Sequence, residues 1–581
     1  MEMLKAREVL LVGEGNFSFS AALSENAGDD VGVTATCYQN EENANKQESA
    51  ARNIQRLRER GSTVLFEVDC TCLKDHEAIK HHLYDCIIFN FPHSGRKSGV
   101  KKNRLLLVRF FQSAIAVLKE NGEVHVTLCN GQGGTPCDSP VREWHNSWQV
   151  VAMAAEAGLI QSEIRPFEYD MHQGYQCTGY RSQDKGFHVE GGLTHIFTRS
   201  LPFTMLEKLK MERTIGKETV CFEIPAELSE YMNRNFLSQQ SHHPVKTVHE
   251  QLLRELKSVC PVCTISKEFP ELVTCWPEKL QVYDPNLTHS EVYWIKPTDT
   301  YIFNQSANEQ EEFMDDQQSF TGSFALRPSL LFHAQEITQN EEFSPGTLYA
   351  VSGVVFQRVP ISPSRSSAIH QLLLVGMFPV ESQPIKCFRD SLESLLTSYG
   401  VSFELVQARP EQQVWMNSKM LPKFGRITSL PSFASDLEGL QLIVVSINLD
   451  HLATLIFGIT DWRLLWSADP RFLQQFELNP LGSFRPFSLY PPSYKHDISF
   501  WMDPDNFEEM NFHAVVREAA CGAVKDVVLV DRFRHPHIGH ASLCFRLTYQ
   551  SSDRALSHSQ VFGLQCQLRR LLPLRLNVTL R

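Results

Sequence analysis

At 581 residues the chain exceeds what one hydrophobic core normally supports, so three or four domains are expected. Its net charge of -12 excludes a uniformly basic nucleic-acid binder and leaves room for a local basic patch. No segment approaches the ~18 apolar residues of a membrane helix. Glu2 and Glu8 beside Lys5 and Arg7 fit neither a signal peptide nor a transit peptide, so no membrane partner and a cytoplasmic, nuclear or nucleolar location are expected.

The first strand, Val9–Val12, runs into Gly13-Glu14-Gly15-Asn16-Phe17-Ser18-Phe19-Ser20, a glycine turn that opens a small-residue helix. Such a turn lets backbone N–H groups approach a nucleotide-like ligand. Ser18 stands where a dinucleotide fingerprint has its third glycine. That glycine permits close helix packing beside a pyrophosphate, so its loss disfavours NAD or FAD and favours a cofactor without one, such as S-adenosylmethionine (SAM). Further strands are expected at Val31–Tyr38, Val64–Asp69, Asp85–Phe91 and Glu123–Leu128, with helices over Glu42–Arg60 and Asn103–Leu118. The alternation predicts a doubly wound α/β sheet, whose ligands sit at the carboxyl ends of the strands. There the third strand offers Asp69 as an acceptor for an adenine amine, and the fourth offers Asn90-Phe91-Pro92-His93. An amide, a ring, a rigid proline and an imidazole in a row suit the edge and face of a nucleobase.

Three ordered segments carry a resemblance: Gly13–Ser20, Ile87-Ile88-Phe89-Asn90-Phe91-Pro92-His93-Ser94-Gly95 and Gly122-Glu123-Val124-His125-Val126-Thr127-Leu128. Over roughly the first 200 residues the chain resembles the large-subunit rRNA uridine-N3 methyltransferase family. The resemblance implies a SAM-dependent, Rossmann-like methyltransferase. Gly13, Glu14, Gly15 and Asn16 would line SAM, Asp69 would face its adenine, and Asn90, Phe91, Pro92 and His93 would border the methyl donor. One departure is Gln39, at the place of the family's ribose-binding Asp, with Glu41 or Glu42 as substitutes. Methylating uridine N3 requires a proton with a pKa near 9 to 10 to leave, and His93 is the first candidate base. Lys97, Lys101, Lys102 and Arg104 follow at once and are expected to hold RNA phosphates.

Residues 201–245, including Gln239–Pro244, read as a linker, and Asn304–Gln318 as an exposed polar loop. Cys260-Pro261-Val262-Cys263 is the one CxxC among fifteen cysteines, and only Cys275 follows nearby, so reduced thiols and no metal site are expected. Strands are expected at Gly353–Arg358 and Gln441–Ser446, and a helix from Leu452. Over about 320–480 the chain resembles the catalytic domain of phenylalanyl-tRNA synthetases, most closely at Leu452–Trp466, with Ala325–Ala334, Ile369-His370-Gln371 and Arg358 at the places of its motifs. Where that family carries Gly-x-Glu-Arg, this chain reads Asn448-Leu449-Asp450-His451. A histidine lacks the guanidinium fork that clamps ATP phosphates, so no aminoacylation is expected.

From Ile498 onward the pattern reads βαββαβ: strands at Ile498–Met502, Val527–Phe533, Ala541–Tyr549 and Leu576–Leu580, helices at Phe507–Ala520 and Ser557–Arg570. Tyr494–Trp501, Val530–Phe533 and Ser542–Tyr549 resemble the ferredoxin-fold anticodon-binding domain that closes phenylalanyl-tRNA synthetases. From Asp531 to Arg581 there are eight Arg, two Asp and no Lys, and Arg532, Arg534 and Arg546 among aromatic residues suit single-stranded RNA.

The expected fold class is thus multidomain α/β and α+β. A Rossmann-like methyltransferase domain (1–200) and a linker (201–245) precede a degenerate class II synthetase-like domain (246–485) and a ferredoxin-like domain (488–581). The expected function is SAM-dependent methylation of uridine N3 in rRNA or a tRNA, with the carboxyl half recruiting the RNA. The alternative is a non-catalytic RNA-binding or tRNA-associated scaffold.

Overall fold

The computed structural model describes residues 8–28, 30–95, 99–178, 188–215, 218–232, 234–298, 323–408, 413–418, 423–431, 439–535 and 540–581. Two compact units result: Met1–Phe203 with Pro486–Lys495 and Thr548–Cys566, and Thr204–Arg485 with His496–Leu547 and Gln567–Arg581.

In the first unit, seven strands are β1 (Glu8–Val12), β2 (Gly32–Thr36), β3 (Thr63–Leu65), β4 (Tyr84–Asn90), β5 (Leu118–Leu128), β6 (Leu159–Pro166) and β7 (Leu193–Arg199). They form one sheet in the order β3-β2-β1-β4-β5-β7-β6. The first five are parallel, and β7 runs antiparallel to both neighbours. β1 is aliphatic throughout because both faces are covered, and Val9, Leu10 and Leu11 are wholly buried. Helix α1 (Ser18–Asn26) packs Phe19 and Leu23 onto one face, against Val9, Leu11 and Ile88. The strand order reverses between β1 and β4, which opens a crevice at their carboxyl ends.

Several local expectations are corrected. The helix expected over Glu42–Arg60 is two, α2 (Glu41–Ala44) and α3 (Ala50–Glu59), broken at Ser49, whose φ is +64°. The third strand ends at Leu65, and Glu67 turns the chain with φ +58°, so Asp69 lies on the following loop. Helix α4 (Val100–Ala114) begins after Gly99 and buries Leu107, Phe110 and Phe111 on the sheet face opposite α1, where α5 (Val150–Ala155) joins it. Within this unit Glu156 accepts from the backbone N–H of His558 at 3.0 Å, capping the chain's last helix.

Residues 201–245 are not a plain linker. They hold a hairpin, β8 (Leu209–Ile215) and β9 (Glu218–Ile224), that buries Val220, Phe222 and Ile224. Pro244 opens α6 (Pro244–Val259), with His243 as its N-cap. The second unit is built on a sheet that joins β10 (Val262–Thr264) to β14 (Leu348–Phe356), β15 (Ala368–Pro379), β19 (Leu440–Asn448), β18 (Gly425–Pro431), β17 (Gln413–Ser418) and β16 (Phe403–Ala408). A smaller sheet holds β11 (Leu272–Cys275), β12 (Trp294–Ile295) and β13 (Ser323–Leu326). The stretch Asn304–Gln318 lies outside the described residues.

The end domain is the expected ferredoxin fold. Strands β20 (Tyr494–Met502), β21 (Val524–Arg534), β22 (Ala541–Tyr549) and β23 (Thr579–Leu580) pair in the order β21-β22-β20-β23, and helices Glu509–Ala520 and His558–Leu576 connect them. Phe500, Phe512 and Phe545 pack together in its core, Phe512 on Phe545 at 4.3 Å between ring centres.

Candidate functional site

At the crevice between β1 and β4 lies a cavity of about 570 Å³. Its wall brings together Gly13, Glu14, Gly15 and Asn16 from the turn after β1, Asp69 from the third loop, and Asn90, Phe91 and His93 from the end of β4. Gly13 is required by conformation, since its φ is +71° and a Cβ there would lie 2.5 Å from the Phe89 ring. A Cβ on Gly15 would meet the Thr178 hydroxyl, so a side chain there needs Thr178 to shift.

Each side chain has a defined state. Glu14 accepts from Ser20 N and Oγ at 3.3 and 2.9 Å, and burial pushes its carboxyl up to about 7 against the lowering effect of those bonds. Asn16 caps the turn by accepting from Ser18 N at 3.1 Å. Asp69 accepts from both Thr71 N and Thr71 Oγ1, at 2.8 and 2.7 Å. Asn90 Oδ1 accepts from Thr127 Oγ1 at 2.7 Å, while its Nδ2 is buried with no hydrogen-bond partner. A buried donor left unpaired in this way is a standing demand for an acceptor.

Phe91 and His93 on the wall, and the other expected site residues around it, have engagements of their own. Pro92 is buried away from the cavity wall, and Phe91, at φ +49°, turns its ring onto Phe167, 5.3 Å between centres. His93 Nδ1 accepts from Gly95 N at 2.9 Å, so the neutral ring carries its proton on Nε2 and is a donor there. That geometry removes His93 as the first candidate base. Gln39 projects its side chain to solvent and uses its carbonyl to accept from Glu67 N. The substitutes are engaged too, Glu41 with Arg58 at 2.9 Å and Glu42 with Lys46 at 3.1 Å. Tyr38 takes that side of the cavity instead, its ring 73% exposed. The segment Tyr175–Thr178 closes the site over Gly15, held by Gln176 and Ser18 through two hydrogen bonds. It lies about 160 positions from the turn, and nothing in its composition announced it.

Of the basic residues after β4, Lys97 lies outside the described residues, and Lys101 and Lys102 are exposed at the start of α4. Arg104 is not available for phosphate: it donates to the Ser147 carbonyl at 2.7 and 3.1 Å, to the Trp144 carbonyl, and covers the Trp144 ring. Arg532 and Arg534 are exposed on β21, whereas Arg546 forms a two-pronged pair with Asp497, both contacts 2.8 Å.

In the second unit a cavity of about 510 Å³ is lined by Gln371, Asn448 and His451 among others. Arg358 is turned to Asn511 at 2.6 Å and Glu508 at 3.4 Å. Asp450 pairs with buried His370 at 2.9 Å, and His451 sits against the Ser364 carbonyl at 3.2 Å. Arg426, on the wall, is bound through both arms to Asp284 at 3.0 Å.

Residues 10–179 match the model of the family described as rRNA (uridine-N3-)-methyltransferase BTM5-like, and residues 488–581 match the ferredoxin-fold anticodon binding domain. The molecule is therefore a multidomain α/β protein with a methyltransferase-like domain at its start and an anticodon-binding domain at its end. It is 40% identical to the human ferredoxin-fold anticodon-binding domain-containing protein 1, across 97% of this chain and 98% of that one. The mouse homologue is 39% identical across 99% and 100%. The chain belongs to the family of these proteins. The chloroplastic/mitochondrial phenylalanine–tRNA ligase of Arabidopsis thaliana is 42% identical over 148 residues, which span 25% of this chain and 34% of that enzyme.

Proposed function

We propose that the first domain is a Rossmann-like, SAM-dependent RNA methyltransferase acting on uridine N3 of rRNA or a tRNA. The observation that carries this is the single cavity on which the Gly13–Gly15 turn faces Asp69 and the unpaired Asn90 amide. The residues fit SAM: the Gly13–Gly15 turn brings backbone to the cavity wall, Glu14 supplies a carboxyl beside a cationic cofactor, and Tyr38 offers a ring. SAM, when bound, supplies a methyl group on a sulfonium. The chain's own groups do the rest. The glycine turn lines the cofactor side of the cavity, Asp69 accepts from an adenine amine, and Asn90 presents a donor to the acceptor base.

The carboxyl half is read as the part that brings the RNA, through the exposed Arg532 and Arg534. Residues 246–485 are read as a degenerate class II synthetase-like domain without aminoacylation. Arg358 is engaged by Glu508 and Asn511, and His451 offers no fork for a phosphate. No phenylalanine-dependent pyrophosphate exchange is expected from the full-length chain.

The test is calorimetric titration of the full-length chain with SAM, followed by mass spectrometry of nucleosides from RNA incubated with wild-type or Asn90→Ala protein. Binding of SAM and a 3-methyluridine signal lost in the variant are expected. SAM binding without any methylated nucleoside would favour the scaffold reading, with which the solvent-facing Gln39 side chain is also compatible.

A further inference from the structure

A second cavity, of about 320 Å³, lies over the sheet face that carries α1 and shares Asn90 and Phe19 with the first. Its wall includes aliphatic residues and the ionisable His125, Arg165 and Glu168, and within it an aromatic and a polar group stand together. Phe19, Phe167 and His172 form a ring cluster, with centres 4.5 Å apart for Phe19 and His172 and 6.1 Å for the stacked Phe167 and His172. Thr127 and Thr194, 3.0 Å apart, line its floor beside Asn90. Thr127 Oγ1 occupies Asn90 Oδ1, and Asn90 Nδ2, at the boundary the two cavities share, is buried with no hydrogen-bond partner. His172 Nδ1 is buried without a partner as well, and burial holds the imidazole below its ordinary pKa, so it is neutral at physiological pH.

Flat apolar rings, the Asn90 amide and the neutral His172 imidazole form a complementary set. A uracil presents a carbonyl on each side of its N3–H, so a donor beside a proton acceptor reads that edge. Cytosine keeps O2 for the amide but has an amine where uracil has O4 and a lone pair where uracil has N3–H, so it offers His172 no proton to take. We propose that this second cavity receives the acceptor uracil, with Asn90 Nδ2 donating to one carbonyl and His172 taking the N3 proton. The inference rests on the uridine methylation proposed above and locates its base site. The balance is simple. The N3–H bond breaks, its electron pair forms the new N–CH3 bond, the donor's C–S bond breaks with its pair kept by sulfur, and the proton passes through His172 to water. His172 lies on the loop after β6, so neither its distance in sequence nor its residue type links it to the Asn90 segment.

The test uses the full-length chain saturated with S-adenosylhomocysteine and polyuridylate carrying 4-thiouridine, irradiated and mapped by peptide mass spectrometry. Adducts within Phe167–His172 are expected, with yield reduced at least tenfold in Asn90→Asp, which replaces the donor by an acceptor at the same size. Adducts confined to His93–Arg109, or no adduct, would overturn the proposal. With SAM and total ribosomal RNA, His172→Gln is expected to lower kcat by roughly 10²-fold while leaving KM and SAM affinity unchanged. An unchanged kcat would remove His172 from the proton step. Adducts at Phe167–His172 in a wild-type chain that transfers no methyl group would keep the base site and refute the methyltransferase reading on which the proton step depends.

Discussion

Glu14 combines two demands in one side chain, since it closes the first turn of α1 through Ser20 and also borders the cofactor cavity. Its carboxyl is raised from 4.5 to about 7, chiefly by burial, so the folded domain retains a proton that the unfolded chain has released. Stability contributed by this group is therefore present below about pH 4.5 and is lost as pH rises through about 7. Glu14→Gln keeps an oxygen for Ser20 and cannot ionise. Its melting temperature should match wild type near pH 5 and exceed it at pH 8, and a constant difference across that range would show that Glu14 does not titrate there. Gly13 tests a different cause. An alanine at φ +71° is strained and faces the Phe89 ring, so Gly13→Ala should cost about 1–3 kcal/mol in denaturant unfolding. Both residues stand out in the sequence because a glycine turn after an aliphatic strand is a local pattern. His172 and Thr178 do not stand out, because a loop that arrives from far along the chain leaves no periodic trace.

Charge was easier to see along the chain than its use. Lys101, Lys102 and Arg104 form one basic run, yet the first two face solvent and the third is spent on the carbonyls of Trp144 and Ser147, about forty positions later. A Lys101→Ala, Lys102→Ala double variant should weaken RNA binding without regard to sequence and lower the salt slope by about 2. Arg104→Ala should leave that slope alone and destabilise the domain by about 1.5–3 kcal/mol, the worth of hydrogen bonds from a charged donor. A filter-binding series across salt, beside urea unfolding, separates the two. The same blindness governs the elements. Parallel strands of the first sheet announce themselves as aliphatic runs because both faces are buried. The hairpin Leu209–Ile224 alternates polar and apolar residues, with Lys210 and Glu212 outward and Phe222 inward, and so passes for a linker. The break between α2 and α3 depends on a positive φ at Ser49, which serine does not advertise.

Across the two units, acid sensitivity is set by which histidines are buried, and residue type alone does not tell: His242 is exposed and His243, next to it, is 2% exposed. Burial lowers His195 to about 4, and His172 as well, in the first unit; in the second it lowers His243 to about 3, His249, His333 and His513 each to about 4, and His451 too. Each is neutral when folded and takes up a proton when unfolded below its free value of 6.5. The unfolded chain thus binds more protons between about 6.5 and 4, and stability falls as pH drops through that window. Since a tenfold change in proton affinity between the folded and unfolded chain is worth roughly 1.4 kcal/mol, one such group contributes a few kcal/mol, and the second unit holds more of them than the first. In the first unit Glu14 also opposes the loss, because its folded carboxyl already holds a proton in the same window. Scanning calorimetry of the full-length chain from pH 7.5 to 5 should accordingly resolve two transitions, with the second unit's melting temperature falling further. A His513→Phe, His333→Phe pair should bring the two back toward each other, since phenylalanine fills a ring-sized space and takes up no proton. Transitions that fall in parallel in both proteins would show that the acid response comes from groups other than these buried imidazoles.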